Sequence, residues 1–282
     1  MNWQILRRVG FFLGIGLLGL FAIIPVLWAL ITVFKASTDL YVFGPNPFLF
    51  NDPPTLDHLV VLFKNTNFPV FLKNSAIVGV CVVAITVLLS VPAAYALARL
   101  TGGWGERSGM AIFLVYLIPP SLLFIPMYRI VVWLGLANTI WSLVVVLPTI
   151  TIPFCTWLLL GFFRAIPRTQ DEAALLDGCG HFAGFRKVIL PQVWPGIGAC
   201  MVFAFSLSLG NYIYAATFIT ASAQRTVTAG VPTELIRGDV FYWSELMAAT
   251  LVVAIPLAIA YGLFFNYLVG GFKSAEEAIM RR

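Results

Sequence analysis

Charge is what this sequence has least of. Its 17 Lys and Arg and 12 Asp and Glu make 10% of 282 residues, where an average soluble domain carries roughly a quarter. A water-soluble globule of this length needs more polar surface than that, so a soluble fold is excluded. Metal-ligating and redox-active side chains are as scarce. There are two His, His58 and His181, and four Cys, Cys81, Cys155, Cys179 and Cys200, with no disulfide framework and no metal-ligand spacing among them. Packing or exposed surface accounts for all six. No Lys follows a Gly, which excludes the phosphate-binding pattern GxxxxGK[ST] and with it nucleotide hydrolysis by this chain alone. Neither a Ser-His-Asp nor a paired-carboxylate arrangement stands out, so no catalytic residue is assigned.

What is abundant is apolar: 60% of the chain is hydrophobic and 15% aromatic. Six stretches contain no Lys, Arg, Asp or Glu, namely 9–34, 74–98, 108–128, 130–163, 188–224 and 246–272. A helix crossing a hydrocarbon core of roughly 30 Å needs about 20 such residues, and a central charge costs about 2.5 to 3.5 kcal/mol. The chain is therefore expected to be an all-α polytopic membrane protein with six transmembrane helices. Trimmed at turn signals, the spans lie near Phe11–Phe34, Ser75–Ala98, Gly109–Tyr128, Ile140–Phe162, Gly196–Phe218 and Leu246–Gly270. The first is read as a span rather than a cleaved signal peptide, because the run is too long and no small-residue cleavage site follows it.

Alternate connections differ in basic residues. The amino terminus, the 99–108 link, the 163–195 loop and the carboxyl tail hold 11 of the 17 Lys and Arg, so that side is expected to be cytoplasmic with both termini on it. His58 and His181 then lie on opposite sides of the lipid bilayer. The basic residues are scattered, which makes nucleic acid a poor partner. Prolines 25, 92, 119, 120, 126, 148, 153 and 256 sit in or near the spans. They suit either a pathway-lining bundle of broken helices or ordinary membrane helices, where proline is common. No Asp, Glu or Arg is placed at membrane depth to serve proton coupling. A secondary transporter would also show inverted repeats and coupling-ion ligands, and the sequence offers neither.

The loop between spans four and five carries the most information. It reads IPRTQDEAALLDGCGHFAGFRKVILP from Ile166 to Pro191. Thr169 and Glu172 have capping-box spacing, which predicts a short helix carrying Glu172 to Asp177, broken at Gly178 and Gly180. A second helix is expected over His181–Ile189, with Phe182, Phe185 and Ile189 facing the bilayer interface and Pro191 ending it. The small side chains of Ala173 and Ala174 would let another protein approach the backbone. Glu172 and Asp177 offer carboxylates to an Arg. Glu172 serves equally as a cap of its own helix.

The string EAALLDG, nine residues, then Val188, Ile189, Leu190 and Pro191 resembles the EAA loop of membrane subunits of ATP-binding-cassette importers, with Val188 where the pattern has Ile. Asn74 and Ser75, AAYALAR over Ala93–Arg99 and GLANT over Gly135–Thr139 are similar to the second permease of maltose-type carbohydrate importers. The resemblance implies a type I importer permease fold. Its segments would be a cytoplasmic amino terminus 1–10, a first helix 11–34, an extracytoplasmic loop 35–70, a permease core 71–270 with the coupling loop at 163–195, and a cytoplasmic tail 271–282. It further implies a second six-helix permease subunit, two cytosolic ATPase subunits using ATP and Mg, and an extracytoplasmic solute-binding protein. No cofactor is implied in this chain. Glu172, Ala173, Ala174, Asp177 and Gly178 would form the ATPase-coupling surface, with Leu190 and Pro191 anchoring the loop's return to the membrane. Where many relatives carry Trp-Asn-Glu in span five, this chain has Gly210, Asn211, Tyr212, Ile213 and Tyr214. Asn211, Tyr212 and Tyr214 suit either a sugar-like solute or helix packing. The outward loop from Thr220 to Glu245 would meet the binding protein. Its Phe241, Tyr242 and Trp243 also fit an interfacial aromatic belt.

Overall fold

The computed structural model describes residues 3–41 and 48–280, and side chains over 7–40 and 48–264. The terminal residues 1–2 and 281–282 of the expected cytoplasmic ends, and 42–47 of the expected outer loop, lie outside the described residues. Among the described residues the fold is helical apart from a hairpin of two-residue strands, β1 (Ile236–Arg237) and β2 (Val240–Phe241), turned at Gly238 with φ +61°. Five helical segments are long and apolar enough to cross a membrane, and a bent pair makes a sixth.

One compact unit comprises residues 1–69 and 231–255. It contains α1 (Trp3–Phe34), α2 (Ser37–Tyr41) and α3 (Asp57–Lys64). The expected outer loop is thus partly helical. A buried polar cluster organises it. Lys35 Nζ lies 3.4 Å from Asp39, and the His58 imidazole bridges Glu245 Oε1 at 3.0 Å and the Lys35 carbonyl at 2.9 Å. The packing role expected for His58 therefore includes a specific polar one. The Asn51 side-chain amide and backbone N–H both donate to Asp39, and with Lys35 nearby they hold its carboxyl below the usual carboxylate range. A depressed folded value means that this contribution is present above the unfolded carboxylate value of about 4 and is lost as pH falls through the folded one. Asn51→Ala is therefore expected to shift acid-induced loosening of this segment to higher pH, read by amide exchange across residues 36–41 and 48–58. An unchanged acid midpoint would remove Asp39 from the account.

The second unit, residues 70–230 and 256–282, is built on α4 (Phe68–Arg99), α8 (Pro148–Ala165) and α11 (Leu190–Gly210). In lipid there is little hydrophobic drive between helices, so close approach at small residues does the work. A Cβ on Gly196 of α11 would stand 2.7 Å from the Phe162 ring of α8, and one on Gly79 of α4 would stand 2.5 Å from Phe205 of α11. Thr86 and Thr151 hydrogen-bond at 2.5 Å between α4 and α8. Two apolar clusters share these helices. One gathers Val78, Val82, Leu143, Leu147, Tyr214 and Phe218, the other Val91, Ala94, Leu159, Phe163, Ile189 and Val193.

Two span expectations need correction, the third and the fifth. The third span is not one helix over Gly109–Tyr128: α5 (Trp104–Tyr116) and α6 (Pro120–Trp133) meet at 88°. Pro119 and Pro120 withdraw two successive N–H donors there, and Pro119 takes an extended ψ of 123°. The fourth lies where expected, as one apolar segment over Trp141–Ala165 made of α7 (Trp141–Val146) and α8, with Leu147 between them still in helical dihedrals. The fifth does not run unbroken from Gly196 to Phe218. It begins in the loop at His181, stops at Gly210, and a separate α12 (Tyr212–Phe218) follows Asn211. After α13 (Val227–Leu235), the last helix, α14, spans Trp243–Met280 and so extends into the expected tail.

Candidate coupling loop and pathway residues

The loop helix forms where expected, as α9 (Thr169–Leu176), with Asp177 capping its end. The capping box does not form. Arg168 already has helical dihedrals and receives the Glu172 N–H on its carbonyl at 3.1 Å, so Thr169 lies inside the helix with no orphan donor to satisfy. The Glu172 side chain is left exposed.

Gly178 has φ +79°, the left-handed region that glycine enters without a Cβ penalty. This turn lets Cys179 N–H reach the Ala174 carbonyl at 2.9 Å and Gly178 N–H reach Leu175 at 3.1 Å, closing the helix. The chain then doubles back into α10 (His181–Gly184). Ala174 faces inward and is 6% exposed, and a Cβ on Gly184 would sit 3.5 Å from its own. Its small size serves the approach of α10, so of the two alanines only Ala173 is open to another protein. On the outward side Glu172, Ala173 and Leu176 are within i, i+3 or i, i+4 reach, and Asp177 and Gly178 are also exposed.

The second loop helix differs from expectation. Pro191 does not end it. A proline ring crowds the carbonyl four residues back, and here the helix answers by widening into a π-turn over Phe185–Ile189 and continuing as α11. Leu190 N–H accordingly donates to Phe185 O. Leu190 is half-buried and Pro191 exposed at the head of α11. Ile189 is fully buried in protein rather than facing lipid, and Phe185 packs against Tyr95 of α4 with ring centroids 4.5 Å apart and planes tilted by 48°. Phe182 alone of the three apolar residues is turned out, 75% exposed.

The structure also shows contacts at the loop that sequence reasoning missed. Arg99, closing α4, places Nε 3.0 Å from Asp171 Oδ2 and donates from Nη2 to the Ile166 carbonyl at 2.8 Å. Gln192 Nε2 donates to Gln170 Oε1 at 2.5 Å. A cation at the mouth of an apolar span was visible in the sequence, but its partner 72 positions later was not.

The three residues read as pathway candidates are not brought to one surface. Asn211 interrupts the helix, and its Oδ1 accepts from Tyr214 N–H at 3.1 Å, capping α12. Tyr214 is buried, and its hydroxyl donates to the Pro120 carbonyl at 2.8 Å, tying α12 to the first residue of α6 at the bend in span three. Tyr212 is 53% exposed. Of the three, Tyr214 is committed to packing within this chain. Asn138, in the GLANT segment, adopts φ +64° and its side chain accepts from Thr220 N, Thr220 Oγ1 and Ala221 N at 2.7 to 3.0 Å, fixing the turn after α12.

The permease character rests on comparison as well as on geometry. Residues 87–274 match the family described as binding-protein-dependent transport system inner membrane component. The chain belongs to this family. It is 32% identical to the sulfoquinovosyl glycerol transport system permease protein SmoH of Agrobacterium fabrum, over 93% of this chain and 91% of that protein. It is 28% identical to the trehalose/maltose transport system permease protein MalG of Thermococcus litoralis, over 97% of this chain and 98% of that one. Its fold matches a chain of a bacterial transporter that imports the acidic polysaccharide alginate, with TM-score 0.75 and 18% identity over 95% of this chain and 98% of the other. This family member is a membrane permease of an ATP-binding-cassette importer, and ATP hydrolysis resides in a separate subunit.

Proposed function

We propose that this permease pairs with a second six-helix permease to carry a carbohydrate or related polyol inward, taking it from an extracytoplasmic solute-binding protein. Two cytosolic ATPase subunits, using ATP and Mg, drive it by gripping α9. The observation that carries the coupling role is the outward face of the loop. Leu176, one helical turn from Glu172, is 89% exposed, and Phe182 in the neighbouring α10 is 75% exposed, on a preformed helix and turn. Large apolar side chains around a charge, on a loop that the basic-residue count assigns to the cytosol, fit a partner's groove better than solvent. Glu172 would pair with a basic residue of the ATPase, Ala173 would permit close backbone approach, Asp177 and Gly178 would shape the turn, and Leu190 and Pro191 would fix the loop's return. Ala174 supports that surface from behind.

Both termini then face the cytosol, and the hairpin lies on the outer side toward the binding protein. There Phe241 and Trp243 stack at 5.2 Å and 9°. Asn211 and Tyr212 would line the solute path. The carbohydrate class is supported by the names of the relatives.

In a Cys179→Ser background, Leu176→Cys should cross-link to the ATPase subunit in the assembled importer. No adduct with an ATP-hydrolysing neighbour would end the coupling assignment. Thermal-shift measurements on the cognate binding protein across maltose, trehalose, diacetylchitobiose and glycerol should show a shift with one of the carbohydrates or the polyol. A shift with none of them would remove the solute class.

A further inference from the structure

Two faces of α9 have different jobs. Glu172 and Leu176 point outward, while Asp171 and Ala174, three residues apart, lie on the side turned to the protein. The inward side is held at several points. The Arg99 guanidinium, with its side chain only 8% exposed, reaches Asp171 in the first turn of α9 and the Ile166 carbonyl just before it. Gln192 on α11 holds Gln170. A shielded ion pair contributes little net stability, because taking both charges from water costs about as much as their attraction returns. What the pair supplies is position: Nη2 hydrogen-bonds the Ile166 carbonyl while Nε lies 3.0 Å from Asp171 Oδ2 as a charge contact outside hydrogen-bond geometry, so the start of α9 is held against the end of α4 at two neighbouring points.

We infer that Arg99 and Asp171 are positioning residues of the coupling step, tying α9 to the end of α4 so that displacement of the loop by the ATPase is passed to that span rather than absorbed by the turn. This rests on the coupling reading above. It adds a second route into the membrane beside the direct continuation of the loop into α11. Neither residue is required to touch the ATPase.

The test uses the full importer in proteoliposomes, with ATP hydrolysis measured with and without the cognate binding protein and a mixed probe of maltose, trehalose and diacetylchitobiose. The readout is the ratio of stimulated to basal rate. A misfolded fraction lowers both rates together and leaves that ratio unchanged, whereas a loosened tie lowers the ratio itself. Arg99→Gln and Asp171→Asn are each expected to lower it at least about threefold, the scale of coupling within one ion-pair network. Arg99→Lys, which keeps the charge but loses the Nη2 bond to the Ile166 carbonyl, should fall between these and the wild type. The exchange Arg99→Asp with Asp171→Arg should recover at least half of the loss. Wild-type ratios in the single variants, or an exchange no better than either single change, would overturn the inference. Glu172→Lys, run alongside, separates the two claims. A normal ratio there sinks the coupling reading itself, as does a wild-type importer that the binding protein fails to stimulate. Loss at Glu172 with normal ratios at Arg99 and Asp171 sinks only this inference.

Discussion

Gly178→Pro should leave the subunit inserted in the membrane while ATP hydrolysis no longer drives solute uptake. Proline fixes φ near −65°, whereas Gly178 sits at +79°, so the turn after α9 cannot keep its shape. The substitution also deletes the N–H that closes α9 on the Leu175 carbonyl at 3.1 Å. A cost of about 3 kcal/mol or more would reduce the docked loop conformation more than roughly a hundredfold. Gly178→Ala, which keeps the N–H and meets only the left-handed strain of about 1 to 2 kcal/mol, should be much milder. Glu172→Lys should uncouple as strongly by a different route, since it reverses the exposed charge offered to the ATPase while the helix keeps its backbone bonds; losing a partner from a charged interface pair costs about 2 to 5 kcal/mol. Uptake in cells carrying the whole importer, scored against membrane content of the subunit, decides it. Normal uptake by Gly178→Pro or Glu172→Lys would show that this loop is not the mechanical connection.

Gly105→Ala should have the largest effect on the fold itself. A Cβ there would fall 1.9 Å from the Leu97 carbonyl oxygen and 2.5 Å from Thr101 Oγ1, where α5 leaves the end of α4. The obstacle is backbone, not the end of a flexible side chain, so α5 must shift as a body. Overpacking of this kind costs about 1 to 3 kcal/mol and sometimes more. For a chain of this size that corresponds to several degrees, roughly 2 to 4 °C per kcal/mol. Gly14→Ala is the control, because nothing lies within 4 Å of a Cβ on that α1 residue. Thermal unfolding of the detergent-solubilised protein should separate the two variants clearly. Equal midpoints would mean that Gly105 is not a contact residue.

The bilayer explains why so much of the fold could be read from charge alone. Each apolar run had to be a span, because water offers no alternative solvent for it and lipid penalises every intervening charge. What escaped was how each helix breaks. Pro119 and Pro120 bend span three by 88°, yet Pro92 and Pro25 sit inside α4 and α1. The same residue type ends, kinks or merely widens a helix according to which neighbours take up the freed carbonyl. Tyr214 braces the bend at Pro120 from 94 residues away. The capping box at Thr169 and Glu172 failed for a local reason, since the helix had already begun at Arg168. In the loop, Gly178 was legible because a turn with no Cβ leaves a composition signal. The inward role of Ala174 was not, since it depends on Gly184 arriving against it. Nor could spacing disclose that Asp171, beside the more conspicuous Glu172, belongs to Arg99.

The unbroken run from His181 to Gly210 has a geometric consequence. Thirty helical residues make a rod about 45 Å long. One end lies beside the outward-facing loop surface and the other at the Asn211 break, where the backbone is no longer bound to helical form. A tilt of about 5° around its midpoint would carry each tip about 2 Å in opposite directions. Such a length turns a tilt that barely disturbs the packed middle at Gly196 into matched displacements at the loop end and at the Asn211 break.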